Sequence, residues 1–334
     1  MKKALVSRYG AIGDFIIMTP VLSHLKRAGY HITMDTVPMG RLILKHNPYI
    51  DAWIDHDISI PPDRLTGHFE ELSKGYDLHV NLCESLEGTL LKVHWRDDFK
   101  KTKEELHAEC NVNYYDKALE IAGFPEIKGL NGELYFSHDE LAWARKFLNK
   151  LGGYVVLWSL SGSSIHKAYP YTEEVANKFL AMHRDAVIVT VGDNLCHLLE
   201  WEHPRVIKKA GLLPIRKSLA LTKYVNCVIG CETGILNAAA CFDTPKVVLL
   251  SHSSEENLTK HWKNCISLSS GQDCQPCHKL HYTADYCEID FQTLASKCMK
   301  DIPAERVLNA LETHYRLTKE GVKWQHQPQP TLQA

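Results

Sequence analysis

One carboxylate in this sequence stands where it could do chemistry at the start of a helix. In Ser7-Arg8-Tyr9-Gly10-Ala11-Ile12-Gly13-Asp14 a short apolar run, Ala4-Leu5-Val6, turns through Gly10 and Gly13 into the apolar stretch Phe15 to Ala28. This is the pattern of a strand that turns into a helix, the first βα unit of a Rossmann-like domain. A helix N-terminus holds phosphate through its own N–H groups and dipole, and an acidic residue there opposes that use. Asp14 therefore suits an uncharged group, such as a hydroxyl that needs a base. The alternative is that Asp14 only caps its helix, worth about 1 kcal/mol.

Two further segments could hold an anion. Ser159-Leu160-Ser161-Gly162-Ser163-Ser164 follows a strand pattern, with Lys167 and Tyr169-Pro170 leading to a helix near Thr172. Hydroxyls, backbone N–H groups and one lysine make a diphosphate cradle, or else an ordinary polar loop with a solvated lysine. Gly230-Cys231-Glu232-Thr233-Gly234-Ile235 repeats the layout, with Asn237 one turn into the next helix. Thr233 and the amides after it would face an anionic ligand, and Asn237 could add a donor. Ala238-Ala239-Ala240 equally fits close packing of that helix on a sheet. Two such turns in one half of the chain suit a nucleotide-sized ligand.

Cys274, Cys277, Cys287 and Cys298 form a C-x2-C-x9-C-x10-C series with His278 and His281 inside it. Four thiolates so spaced could close a structural zinc site, or stay free or redox-active thiols; only one CxxC pair is present. The stretch His94-Trp95-Arg96-Asp97-Asp98 with Lys100, Lys101 and Lys103 could line an acceptor groove or form a solvated loop.

The elements that must position these residues read as two alternating strand and helix series. In the first, strand Leu5-Val6 precedes a helix from Phe15 to Ala28 that Pro20 should kink, or whose regular bonding it should confine to the later turns. Strands at His31 to Val37 and Tyr76 to Leu82 follow, then a helix from Asn113 to Ala122. Gly and Asn around Lys128 to Gly132 mark the connection between domains. In the second, Ser137 to Glu140 is a capping box for a helix through Leu151. Strands at Tyr154 to Trp158, Ala186 to Val191, Val225 to Ile229 and Val247 to Leu250 alternate with helices at Thr172 to Met182, Lys217 to Lys223 and Ile235 to Cys241. A last amphipathic helix spans Pro303 to Tyr315. The expectation is an α/β protein of two Rossmann-like domains facing across a cleft: residues 1–130 and residues 131–324, with a cysteine-rich loop at 265–298. A polar tail, 325–334, should be disordered.

Bulk composition narrows the function. The chain has 334 residues, enough for two domains of ordinary size, and 45% hydrophobic and 23% charged residues mark a globular protein. A net charge of −2 argues against binding through a general excess of positive charge. No signal-peptide pattern and no membrane-spanning apolar run occur, and 11 cysteines, mostly in apolar segments, suit a reducing compartment. A cytoplasmic location is expected.

Taken together, the ordered motifs resemble glycosyltransferase family 9, the lipopolysaccharide heptosyltransferases, which have the GT-B fold. Ser7 to Pro20 is similar to that family's R-x-G-x-x-G-D opening and its Thr-Pro helix. Ser161 to Pro170 resembles S-G-x…K-x-W-P, with Tyr169 in place of tryptophan. Pro214 to Leu219 resembles the segment before the nucleotide-binding strand, and Glu232 to Asn237 aligns with D-[ST]-G-x-x-H, with Glu232 for Asp and Asn237 for His. The resemblance implies a metal-independent inverting transfer from a nucleoside-diphosphate sugar, ADP-heptose-like, to a glycan or lipid-linked acceptor. Asp14 would be the general base, with Gly10 and Gly13 in the acceptor-side loop. Ser161, Gly162, Ser163, Lys167, Glu232, Thr233, Gly234 and Asn237 would hold the donor, Lys167 and the Thr233 turn stabilising the departing diphosphate. Cleft closure over both substrates would exclude water.

Three other readings stay open. A nicotinamide oxidoreductase could use Asp35, 22 residues after Gly13, as a ribose ligand, though G-x-G-x-x-G is absent. The same fold could glycosylate a modified nucleic-acid base, the Lys92 to Lys103 stretch meeting the polymer. A non-catalytic binding protein could retain the fold alone.

Overall fold

In a computed structural model, residues 1–83, 101–162, 164–278 and 287–322 are described. The first domain holds a four-stranded parallel sheet in the order β3-β2-β1-β4, formed by Lys2–Arg8 (β1), Tyr30–Thr36 (β2), Ala52–Asp55 (β3) and Leu78–Asn81 (β4). The second holds a six-stranded parallel sheet in the order β10-β9-β8-β5-β6-β7. Its strands are Tyr154–Ser159 (β5), Ala186–Val191 (β6), Val206–Lys208 (β7), Cys227–Cys231 (β8), Lys246–Leu249 (β9) and Cys265–Leu268 (β10).

The apolar stretch after Asp14 forms two helices, Ile12–Ile17 (α1) and Thr19–Arg27 (α2). Pro20 sits in the first turn of α2, where its missing N–H costs nothing, so the expected kink is a break at Met18. Thr19 stitches the break by donating its hydroxyl to the Ile16 carbonyl at 2.7 Å. Further helices of the first half are Pro38–Ile43 (α3), Leu65–Leu72 (α4), Lys103–Cys110 (α5) and Tyr114–Ile121 (α6). The Ser137 capping box opens His138–Leu151 (α7) as its sequence requires, Ser137 Oγ accepting from Glu140 N. Thr172–Met182 (α8), Ile215–Leu221 (α9), Gly234–Ala240 (α10), Lys297–Lys300 (α11) and Ala304–Glu320 (α12) complete the second half.

Two apolar layers hold this together. One buries Val156, Trp158 and Ile229 of the second sheet against Val175 and Phe179 of α8 and Val307 and Leu311 of α12. The other is continuous between the domains, joining Phe15 and Ile16 of α1 and Tyr115 of α6 to Leu219 of α9 and Ala238 and Ala239 of α10. Arg216 of α9 reinforces that junction although it is almost fully buried. Its guanidinium donates to the Ile43 carbonyl at the end of α3 at 2.9 Å, to the Tyr135 carbonyl at 2.7 Å and to Glu140 Oε2 at 2.8 Å. Burial by itself would raise the Glu140 carboxyl, but the Arg216 and Ser137 hydrogen bonds bring it down to about 2.

Strand order fixes where a ligand can sit. In an open parallel sheet the crevice lies at the carboxyl ends of strands whose connections run to opposite sides. Here those positions fall between β1 and β4 in the first sheet and between β5 and β8 in the second. The loop after β1 is Tyr9 to Ala11, the loop after β5 is Leu160 to Ser164, and the turn after β8 is Glu232-Thr233.

Candidate active site

Both crevices open on one cavity of about 830 Å³ between the domains. Arg8, Gly10, Gly13, Asp14 and Leu82 line it from the first domain, and Ser161, Gly162, Lys167, Glu232, Thr233, Gly234 and Asn237 from the second. The described residues expected at the turns after β1, β5 and β8 therefore border a common space, whereas Lys101, expected in an acceptor groove, is off this lining and pairs with Glu109 at 2.7 Å. Ser163 lies outside the described residues.

Asp14 faces this cavity but is not free. One carboxylate oxygen accepts from the Ala11 N–H at 2.7 Å, so the residue also caps its own helix. The other is paired with Arg8 Nη2 at 2.9 Å, with only 14% of the Asp14 side chain exposed. Arg8 is itself anchored by donating from Nη1 to the Leu82 carbonyl at 2.6 Å, bridging the ends of β1 and β4. Two of the carboxylate's roughly four lone-pair directions are thus occupied, and Arg8 and the Ala11 N–H fix its orientation. Gly10 is needed at its position, since its φ of +122° disfavours a side chain and an added Cβ would lie 2.4 Å from Asp14 Oδ2. Arg8 borders the cavity in a role the opening motif does not spell out; its sequence signal is a charge at the end of a strand with an apolar centre.

Lys167 is the counterpart across the cavity. It is 7% exposed, and its ammonium donates to the Glu232 carbonyl at 3.2 Å. Among the described residues no carboxylate pairs with it. An ammonium carries three donors and is costly to bury without a counter-charge, so this position can accommodate an anion. Thr233 caps α10 with extended backbone angles and makes no capping bond of its own to the helix; its hydroxyl meets Ser159 Oγ at 3.2 Å. Thr233, Gly234 and Ile235, which open that helix, line the cavity together with Lys167.

Glu232 and Asn237 take parts different from simple donor contacts. The Glu232 carboxylate accepts from the backbone N–H of Ser251, His252 and Ser253 and from the Ser251 hydroxyl at 2.7 Å. It shapes the loop after β9, whose His252 and Ser253 line the cavity. Asn237 is 4% exposed; its amide donates to the Thr233 carbonyl at 3.0 Å and accepts from the Tyr115 hydroxyl at 2.9 Å. Asp193 and Asn194, at the end of β6, also border the cavity and were not anticipated.

Asp35 is fully buried and accepts from the Tyr9 hydroxyl at 2.6 Å, beneath the site loop and off the cavity lining. It is thus placed as a support, which removes the feature that suggested a ribose ligand. Cys274 is exposed and Cys277, Cys287 and Cys298 are half-buried. Burial pushes the Cys298 thiol up to about 11, with Cys277 and Cys287 adding to the shift. Among the described residues no three His, Cys, Asp or Glu side chains are grouped as a metal ion would require. His281, His94 to Lys100 and the tail from Gln325 lie outside the described residues. No helix among them is long and apolar enough to cross a membrane.

Solved structures with the same arrangement exist over nearly the whole chain. A glycosyl transferase family 9 protein from Veillonella parvula superposes with a TM-score of 0.68 at 16% identity, covering 94% of this chain and 97% of that one. An E. coli ADP-heptose LPS heptosyltransferase II gives 0.66 at 15% identity, with 96% and 100% covered. The chain shares the two-domain α/β fold of these structures. E. coli heptosyltransferase WaaC, solved with ADP, gives 0.57 at 13% identity, with 93% and 99% covered. No family model matches the sequence, and no curated protein matches it. The two-domain α/β architecture expected from the motifs is thereby confirmed.

Proposed function

We propose that this chain is an inverting glycosyltransferase that moves a heptose-like sugar from an ADP-linked donor to a hydroxyl of a glycan or lipid-linked acceptor. The observation that carries the reading is Lys167, a buried ammonium without a carboxylate partner among the described residues, lining the same cavity as the Asp14 carboxylate. A diphosphate beside Lys167 supplies the missing counter-charge. The ADP assignment draws on neighbours of the same fold that are named for ADP-heptose or solved with ADP.

In this reading the acceptor hydroxyl attacks the anomeric carbon on the face opposite the diphosphate. The new C–O bond forms as the bond to the diphosphate oxygen breaks, and Asp14 takes the hydroxyl proton. Arg8 keeps Asp14 turned toward the gap. Lys167 and the N–H groups of the Thr233-Gly234 turn meet the negative charge growing on the departing ADP, with Ser161 and Gly162 forming the wall of that pocket. A single displacement inverts the anomeric centre. Glu232 holds the loop of His252 and Ser253 against the pocket instead of meeting the sugar itself.

The test is a thermal-shift screen of ADP, UDP, GDP and CDP, followed by mass spectrometry of transfer from ADP-heptose to lipopolysaccharide core acceptors. ADP should stabilise most, because a ligand that binds only the folded state raises its stability by mass action. Equal, negligible shifts with all four nucleotides would overturn the donor assignment.

A further inference from the structure

We infer that Tyr115 and Asn237 are positioning residues, a buried hydrogen-bond relay that fixes the gap between Asp14 and the leaving-group turn. This rests on the transfer reading above and adds how the spacing is set. Tyr115 lies on α6 of the first domain and is fully buried, and its hydroxyl donates to Asn237 Oδ1 at 2.9 Å. The other end of the Asn237 amide donates to the Thr233 carbonyl at 3.0 Å. The relay therefore ties the turn that caps α10 to a helix of the opposite domain.

Close packing removes the slack around it. An added Cβ on Gly13, beside Asp14, would lie 3.1 Å from Asn237 Nδ2. One on Gly234 would lie 2.4 Å from Ile12 Cγ2. The first turns of α1 and α10 thus abut, one carrying the carboxylate and the other the phosphate-facing amides. A shift of about 1 Å in such a pair is enough to cost on the order of a hundredfold in rate. Other bonds hold α6 in place independently of Tyr115. Asn113 Nδ2 donates to the Glu256 carbonyl at 3.3 Å, and Asp116 meets His261 at 3.2 Å. The Trp262 side chain also interacts with the Tyr115 hydroxyl. Loss of that hydroxyl should leave the domains joined while loosening the relay and this one contact.

The experiment compares wild type, Tyr115→Phe, Asn237→Ala and the double variant in the full chain. Turnover with ADP-heptose, the share of donor lost to water, and amide hydrogen exchange are read for each. Tyr115→Phe should lower kcat on the order of 10- to 100-fold with donor KM within about twofold, and raise the hydrolysed share. Exchange should quicken at residues 12–17 and 234–240 together. The double variant should be no slower than Asn237→Ala alone, because both changes cut one relay. A purely structural role would lower the melting temperature and leave kcat per folded molecule and the hydrolysed share unchanged. Unchanged kcat, or unchanged exchange in either helix, would overturn the inference. If the wild type transfers no sugar, the functional reading fails, while the exchange data still decide whether the relay exists.

Discussion

Replacing Lys167 with Met should move binding and apo stability in opposite directions. The side chain is 7% exposed and its ammonium has one carbonyl partner among the described residues. An apolar chain of similar length removes a buried charge, so the ligand-free protein should melt at the same temperature or higher. A hydrogen bond to a charged group is worth about 1.5–3 kcal/mol, so ADP should bind roughly 10- to 150-fold more weakly. For 334 residues the unfolding entropy is about 0.7 kcal/mol per degree. At a concentration of about 100 times the wild-type Kd, ADP adds about 2.7 kcal/mol, a rise of about 4 °C. With affinity weakened about 50-fold the same concentration adds about 0.65 kcal/mol, a rise of about 1 °C. Scanning calorimetry with and without ADP reads both quantities. A variant that melts lower than wild type yet keeps its full ADP shift would refute the reasoning, because Lys167 would then be structural.

Other perturbations follow from the same structure. Arg216→Ala leaves the Glu140 carboxylate and the carbonyl at the end of α3 without their buried donor, so it should cost about 3–5 kcal/mol, read by urea denaturation. A loss under about 1 kcal/mol would show that the domains are held without it. Burial lowers the His314 imidazole from 6.5 to about 4, so the unfolded chain takes up this proton first as pH falls. Its contribution is complete above about pH 6.5, declines through the interval and is lost below about 4, with about 3 kcal/mol at stake. His314→Gln should flatten the melting temperature between pH 6.5 and 4 relative to wild type; parallel curves would contradict this. Arg8→Leu should lower kcat more than it raises donor KM, since it frees Asp14 to turn without touching Lys167, and steady-state kinetics separate the two.

Much of the architecture was legible because local signals agreed with it. Ser137 and Glu140 announced a capped helix, Pro20 announced the break after Met18, and the strand-turn-helix motifs fell at the two crevices. Strands such as Ala52–Asp55 and Val206–Lys208 escaped notice because they are short edge strands with little periodicity of their own. Contacts across large sequence separations were harder still. Tyr115 reaches Asn237 from 122 positions away, and the apolar face that buries it reads only as helix core. Glu232 was legible as a polar residue in a turn between a strand and a helix. Its engagement by the backbone of residues 251–253 depends on how the loop after β9 folds back, which no local pattern encodes. Arg8 was visible inside the opening motif, but its pairing with Asp14 follows only once β1 and β4 are neighbours.

A carboxylate on one domain working against a cation-lined leaving-group pocket on the other is tested most directly by Asp14→Asn. Asparagine keeps the shape and can still accept from the Ala11 N–H, but it cannot take a proton. Sugar transfer from ADP-heptose should fall about 10²- to 10⁴-fold while ADP binding by calorimetry stays as in wild type. Transfer at the wild-type rate by this variant would contradict the account.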